Sequence, residues 1–523
     1  MFLRSTSIRA RTQVFLVLTA VWTLGLESHP KPDEVTGGAA AASEVASMSC
    51  STNSQEVGLH ENICTDNEGS FSLVRRRSRP LPEHAYTTLS NGARVCRLVN
   101  GLWQLSGKHA YRPDRDMAIA DMRALVTAGF TTFDLADHYG EAEDFIGDFL
   151  QERWEDAQRT LMMQGHFPIN EPRGNTTSSD LLMEMTAHEH GEPLTFHTKW
   201  APQPGPMPLE AVRFALDTAR YRMAVSTLDL VAFHWWDYSD LRYRHLLLHA
   251  TSLVLQRPPV LNGVALTNFD LNHLQEIVEP RSSAKRTSGF EGVPIVSNQV
   301  SFSIVDSRPL EGGMLQWCEQ RGITIMAYGV LLGGLLSDAW LGANEPAPRS
   351  KGGDPSLQLD TASLEKYFGF ILRWGSWKHF QDLLAVLRSI ADKHEVLIRS
   401  NLDHALPGKE ALGAGGAEAS LWQHSNQHAA VSIAHVAIRW VLQQSSKTAS
   451  PSSICAIVGS RVGHPWGMSA KYARENSVVF AFELDAQDLD GIDAARTAEG
   501  TRPLLDSMGD CGDEYRRQPG NSE

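Results

Sequence analysis

Six cysteines in 523 residues are too few and too scattered for a disulfide framework, and no two are spaced as Cys-x-x-Cys, so the usual zinc-site signature is missing. Cys50 and Cys64 lie close together in a loose stretch, where they either pair in an oxidising compartment or stay free thiols. Basic residues are in deficit: 47 Lys and Arg stand against 61 Asp and Glu, a net charge of −14, which disfavours nucleic-acid binding. No apolar run is long enough to span a bilayer comfortably, the nearest being Val14 to Leu26. No Gly-x-Gly-x-x-Gly follows the first strand-like run, which argues against a doubly wound dinucleotide-binding sheet.

What is present begins with targeting. Arg4, Arg9 and Arg11 precede the apolar run, and no acidic residue occurs before Glu27. That order fits a secretory signal peptide over residues 1–27; an organellar presequence or a membrane anchor is the alternative. The expected location is the secretory pathway, or an organelle reached through it such as the ER lumen or a plastid, rather than the cytoplasm. Residues 28–84 are rich in Ala, Ser, Glu and Gly, with Arg75 to Arg79 at the end, and read as a linker or propeptide without a core.

From Tyr86 onward the pattern changes. Asn91-Gly92 between two β-branched runs signals a hairpin with a type I′ turn. Apolar strand-like runs then alternate with amphipathic helical ones. Buried strands are expected near Leu98, Phe133, Phe196, Val231, Val264, Val296, Ile325 and Ile457. Eight such units point to an α/β fold, a closed (β/α)8 barrel over residues 85–500 with an N-terminal β-hairpin. Long insertions near 156–192 and 397–430 break the rhythm, and residues 501–523 read as a tail. Asn175-Thr176-Thr177 in the first insertion is a glycosylation sequon, usable only in the ER. The stretch from Ser337 to Trp374 is expected over the barrel mouth, as a lid or as a wall using Trp340, Tyr367 and Phe368.

Four strings carry the polar residues that stand out at strand ends: FDLADHYG, LTFHTKW, LDLVAFHWW and VALTNFD. Reducing a carbonyl needs hydride at carbon and a proton at oxygen. A Tyr donates that proton if its pKa of about 10 is pulled down, as a nearby Lys ammonium would do. A buried Lys needs a carboxylate partner, and a His beside the same oxygen orients the carbonyl or relays the proton. Asp134 at a strand end and Tyr139 five residues on in the following loop can face one pocket.

Here the chain resembles the aldo-keto reductase superfamily. The family's Asp-x-Ala-x-x-Tyr-Gly with a following Glu matches Asp134, Ala136, Tyr139, Gly140 and Glu141 or Glu143. Its strand-end Lys matches Lys199 and its strand-end His matches His234. The resemblance implies a catalytic tetrad of Asp134, Tyr139, Lys199 and His234, with Tyr139 as general acid. It implies a nicotinamide site too: Thr267 (where Ser is usual), Asn268 and Gln299 on the carboxamide, and Tyr328 stacked on the ring. Ser460 and Arg461 are matched to the loop that binds the adenosine 2′-phosphate, with Gly459 where many members have Lys. NADPH is the expected cofactor, with NADH second. Trp103 is either a substrate contact or packing; Trp235 and Trp236 are either substrate contacts or core. The resemblance implies an oxidoreductase acting on a small-molecule carbonyl, or, as the alternative, a non-enzymatic nicotinamide-binding regulatory subunit of a partner protein. No metal site is expected, and nothing in the sequence sets the oligomeric state.

Overall fold

The computed structural model describes residues 63–65, 71–73, 81–107, 109, 111–163, 192–203, 205–279, 292–346, 359–404, 430–445, 454–465, 472 and 475–516. The targeting segment 1–27, Cys50, the Asn175 sequon and most of both insertions lie outside the described residues. Two compact units are present, Met1–Val74 and Arg75–Glu523. In the first, Ile63–Thr65 pairs antiparallel with Phe71–Leu73. That corrects the reading of this stretch as a linker alone: the β-branched Ile63 and Thr65 in one run and the aromatic Phe71 in the other favour extended backbone.

In the second unit eight strands close a parallel barrel. They are β1 (Leu98–Gly101), β2 (Thr132–Asp134), β3 (Thr195–Trp200), β4 (Leu230–His234), β5 (Val264–Thr267), β6 (Ile295–Ser301), β7 (Thr324–Tyr328) and β8 (Ile454–Gly459). Each matches one of the eight expected runs. Helices form the outer layer: α1 (Arg115–Thr127), α2 (Ala142–Met163), α3 (Leu209–Met223), α4 (Tyr243–Leu255), α5 (Leu271–Val278) and α6 (Met314–Glu319). Among the described residues the link from β7 to β8 holds α7 (Ala362–Trp374), α8 (Trp377–His404) and α9 (Ile433–Gln443); α10 (Ala486–Arg496) and α11 (Leu504–Met508) follow β8. Local signals fix several starts. Asp114 caps α1 by accepting from the Met117 amide at 2.9 Å, and Asp270 caps α5 by accepting from the His273 amide at 2.9 Å. Among the described residues no helix is long and apolar enough to cross a membrane.

The barrel interior is a small core of its own. Val99, Leu230, Ala232, Ala265, Val296, Met326 and Cys455 pack there against Leu89 and Val95 of the N-terminal hairpin, so the hairpin closes the N-terminal end of the barrel. The hairpin turn differs from expectation. Only Gly92, at φ 87°, has positive φ; the Gly92 amide donates to the Leu89 carbonyl at 2.9 Å and the Leu89 amide to that of Ala93 at 2.8 Å. This is a type I turn followed by a left-handed glycine, not a type I′ turn, which needs positive φ at both central residues. Both insertions begin later than read: α2 runs to Met163 and α8 to His404. The C-terminal tail is not a tail up to residue 516. Leu504 and Cys511 are buried, and the chain folds back across the C-terminal mouth of the barrel.

Candidate active site

Successive side chains on a strand point to opposite faces. Counting in twos from the interior residues Val99, Ala232, Ala265, Met326 and Cys455 brings Gly101, His234, Thr267, Tyr328 and Gly459 inward at the C-terminal ends of β1, β4, β5, β7 and β8. Asp134 of β2 and Lys199 of β3 join this top layer. Strand β6 breaks parity. With Val296 inward, Asn298 would follow. However, Ile295 pairs with Val264 and Asn298 with Leu266, so β6 carries one residue more than β5 between those pairs. The bulge flips the facing. Gln299 therefore turns inward, its Nε2 2.7 Å from Asp134 Oδ1, while Asn298 turns outward and donates to the Phe269 carbonyl at 2.8 Å.

Lys199 Nζ donates to both Asp134 oxygens, at 2.8 and 2.7 Å, and the two side chains are 5% and 6% exposed. Tyr139, in the turn after β2, lies with its ring under Lys199 Nζ, 4.9 Å from the centroid. The ammonium thus meets the face of the ring rather than its hydroxyl. Burial, and then the Asp134 carboxylate, hold the Tyr139 phenol well above its usual pKa. This corrects the expectation that Lys199 draws it down: the lysine charge is already spent on Asp134. Burial lowers the pKa of Lys199, with Asp134 opposing. His234 is pushed down to about 4 by burial and then by His138 and Arg516, so it is neutral at physiological pH. Its Nε2 lies 3.4 Å from Asn268 Nδ2.

The expected nicotinamide residues gather beside this group. Thr267 Oγ1 is buried and has no hydrogen-bond partner among the described residues. The Tyr328 hydroxyl donates to Asn268 Oδ1 at 2.8 Å. An unsatisfied buried hydroxyl next to a side-chain amide and a phenol ring fits a flat ring bearing a carboxamide. Ser460 and Arg461 follow the end of β8, Ser460 buried and Arg461 exposed. At Gly459 an added Cβ would stand 2.2 Å from Gln104 Nε2, so Gln104 fills the space a longer side chain would take.

The aromatic candidates separate. Trp235, opposite in parity to His234, is 2% exposed, and its indole donates to the Asp237 carbonyl at 2.7 Å. It is core, which corrects its assignment as a substrate contact. Trp236 instead meets the His234 ring edge-on at 5.3 Å. Trp103 is half-buried against His109, and His109 Nε2 is 3.0 Å from Ser363 Oγ of α7, which keeps Trp103 under the mouth. Of the three aromatic candidates in the Ser337–Trp374 stretch, Trp340 and Phe368 pack on Trp377 at 6.0 and 5.9 Å, while Tyr367 reaches the site, its hydroxyl over Gly329.

Sequence reasoning missed the C-terminal strap. Buried Arg308 grips Asp306 and Glu514, donating to the Glu514 oxygens at 2.8 and 3.0 Å. Although burial works the other way, this guanidinium holds Glu514 below the usual carboxylate range. Arg516 donates to the Asn268 carbonyl at 2.9 Å and pairs with Asp270 at 3.1 Å. Between them, the Tyr515 ring sits edge-on to His234 at 5.6 Å, and its hydroxyl is 3.4 Å from that of Tyr328. Lys366 of α7 donates to the Tyr515 hydroxyl. The only sequence hint was Leu504-Leu505, Cys511 and Tyr515 in a stretch otherwise polar.

The aldo/keto reductase family model matches residues 97–400. Flagellar radial spoke protein 5 of Chlamydomonas reinhardtii is 28% identical over 231 residues, 39% of this chain and 40% of that protein, so the match spans less than half of its length. Among solved structures, a thermostable aldo-keto reductase in complex with the inhibitor epalrestat aligns at TM-score 0.44 and 16% identity, covering 78% of this chain and 99% of that one. An aldo/keto reductase from Klebsiella pneumoniae, in complex with NADP and acetate, aligns at 0.43 and 15%, covering 80% and 99%.

Proposed function

This chain belongs to the aldo/keto reductase family, and from that premise we propose that it reduces an aldehyde or ketone to an alcohol with NADPH. One observation carries the reading: Asp134, Lys199, Tyr139 and His234 converge at the ends of β2, β3 and β4, beside the unpartnered Thr267 hydroxyl. When bound, a reduced nicotinamide supplies hydride to the carbonyl carbon. Thr267, Asn268 and Gln299 would hold its carboxamide, Tyr328 would wall the ring, and Ser460 and Arg461 would hold the adenosine phosphate. Tyr139 donates its O–H proton to the carbonyl oxygen as negative charge develops there. A phenol kept protonated by burial is a ready donor, and the alkoxide is the stronger base. Lys199 lies over the Tyr139 ring and Asp134 keeps it in place, so the pair fixes the position of the phenol. Neutral His234 orients the carbonyl.

The test is NADPH consumption with 4-nitrobenzaldehyde. Tyr139→Phe should cut turnover by roughly 10²-fold or more while cofactor binding persists; unchanged turnover would refute the assignment. The similarity to Flagellar radial spoke protein 5 favours a second reading, in which the barrel is a nicotinamide-binding subunit of a larger assembly. A wild type that binds NADPH yet reduces nothing in a broad carbonyl panel would support that reading. The N-terminal segment supports residence in the secretory route or an organelle supplied through it; a fluorescent fusion of the first 84 residues that stays diffuse in the cytosol would defeat this.

A further inference from the structure

Among the described residues, four cations line the tetrad and the C-terminal strap, and three are matched by carboxylates. Lys199 is held by Asp134, Arg308 by Asp306 and Glu514, and Arg516 by Asp270 and Asp513. The fourth, Lys366, pairs with no carboxylate among the described residues. Its Nζ lies in a cage of four rings: 5.3 Å from the centroid of Tyr328, 5.0 Å from Tyr367, 5.5 Å from Phe370 and 4.8 Å from Tyr515. Its one hydrogen bond goes to the Tyr515 hydroxyl. An ammonium has three donors, so two remain. Burial opposes its charge, but the phenols of Tyr367 and Tyr515 hold its pKa above the usual lysine value. Glu514 is close enough to add to this, yet it is already bound by both arms of Arg308.

A partly buried cation is stabilised by a counter-charge. Rings supply this only partly, because a cation–π contact is weaker than an ion pair with hydrogen bonds. The position also matters. Lys366 touches the Tyr328 ring on one side and Tyr515 on the other, and Tyr515 touches His234. One ring therefore separates the free ammonium from the histidine that orients the carbonyl.

We propose that Lys366 receives the carboxylate of the substrate, so that the preferred substrates are carbonyl compounds carrying an anionic group about one aromatic ring away from the carbonyl. This rests on the reductase reading above and names its substrate class. Tyr515 positions the ammonium and forms the wall along which the substrate lies. Trp236, edge-on to His234, offers an apolar face to the body of the same molecule.

The experiment compares 4-carboxybenzaldehyde with 4-nitrobenzaldehyde, a flat neutral aldehyde of nearly the same shape, on the full chain with NADPH. The quantity read is the ratio of their kcat/KM values in wild type, Lys366→Met and Lys366→Arg. A hydrogen-bonded charge contact is worth enough that Lys366→Met should lower the ratio roughly 10- to 100-fold, with Lys366→Arg restoring most of it. If the nitro compound is reduced but the ratio stays within about twofold in Lys366→Met, the carboxylate site is refuted and the reductase reading stands. If Lys366→Met instead weakens NADPH equally with both aldehydes, the ammonium serves a cofactor phosphate and the proposal is again overturned. If neither aldehyde is reduced, the reductase reading fails. In that case 4-carboxybenzoate titrated against tryptophan fluorescence decides the anion site: binding lost in Lys366→Met supports it, and equal binding or none in wild type sinks it.

Discussion

Replacing Lys199 by Met tests how the core of the site is held. The side chains of Lys199 and Asp134 are 5% and 6% exposed, and the ammonium supplies a donor to each carboxylate oxygen at 2.8 and 2.7 Å. Without it, Oδ1 keeps only Gln299 Nε2 at 2.7 Å, and Oδ2 keeps no donor among the described residues. Removing one partner of a buried pair leaves an uncompensated charge, at a cost of about 3–5 kcal/mol. The stranded carboxylate then takes up a proton more readily than in the unfolded chain. Its folded pKa is raised in the variant, so relative stability returns as pH falls and is lost as pH rises. Urea unfolding at neutral pH and about one to two units lower should show the penalty shrinking by roughly 1.4 kcal/mol per pH unit. Adding Asp134→Asn should recover part of the loss, because the double variant buries no lone charge; the cycle yields a coupling of about 0.5–3 kcal/mol. A Lys199→Met protein within about 0.5 kcal/mol of wild type at neutral pH would refute the pairing.

The buried histidines set acid lability. His197 is depressed to about 3, and His234 and His435 to about 4, chiefly by burial. Each binds fewer protons folded than unfolded, so stability is full above the ordinary imidazole value of about 6.5 and drains as pH falls toward 4; urea midpoints across that range should drop, and His435→Gln should shallow the slope. Trp235→Phe should lower stability by about 1–3 kcal/mol by stranding the Asp237 carbonyl and leaving a gap, whereas Trp236→Ala should chiefly alter KM across carbonyls of different bulk; the opposite split would refute the facing assigned to β4. Gly512, at φ 87°, would place a Cβ 2.1 Å from the Asn268 carbonyl. Gly512→Val should therefore lift the strap, cost about 1–3 kcal/mol and weaken NADPH binding measured by fluorescence; wild-type NADPH affinity in that variant would show that the strap does not support Asn268.

Residues whose placement depends on local periodicity were legible. Asp134, Lys199, His234, Thr267 and Tyr328 close apolar strand-like runs, and a strand end in a parallel barrel is a mouth position by construction. The same pleat, counted one step further, would have turned Trp235 away and Trp236 toward the pocket, because Trp235 differs in parity from His234. Gln299 was found through resemblance, but its contact with Asp134 depends on a bulge that no property of Ile295 to Asn298 announces. The Lys199–Tyr139 relation was misjudged for an energetic reason. A lysine next to a phenol lowers its pKa only if its charge is uncommitted, and here Asp134 takes both contacts.

The strap shows where such reading runs out. Tyr515 meets His234 across 281 positions of chain, joined by no shared period and no turn chemistry. What sets it there is Arg308, which is fully buried and holds two carboxylates from segments far apart, Asp306 beside it and Glu514 near the C-terminus. Taking three charges out of water carries a desolvation cost that mutual attraction roughly offsets, so the network adds little net stability. What it does supply is geometry, since a planar guanidinium bound bidentate at two edges admits essentially one arrangement. Glu514 is thereby fixed, and Tyr515 and Arg516, the next two residues, have one place to go: over His234 and onto the Asn268 carbonyl. A network that is weak as a source of stability is therefore strong as a ruler. It explains how a segment with no strand or long helix of its own comes to stand within a hydrogen bond of both Tyr328 and the ammonium of Lys366.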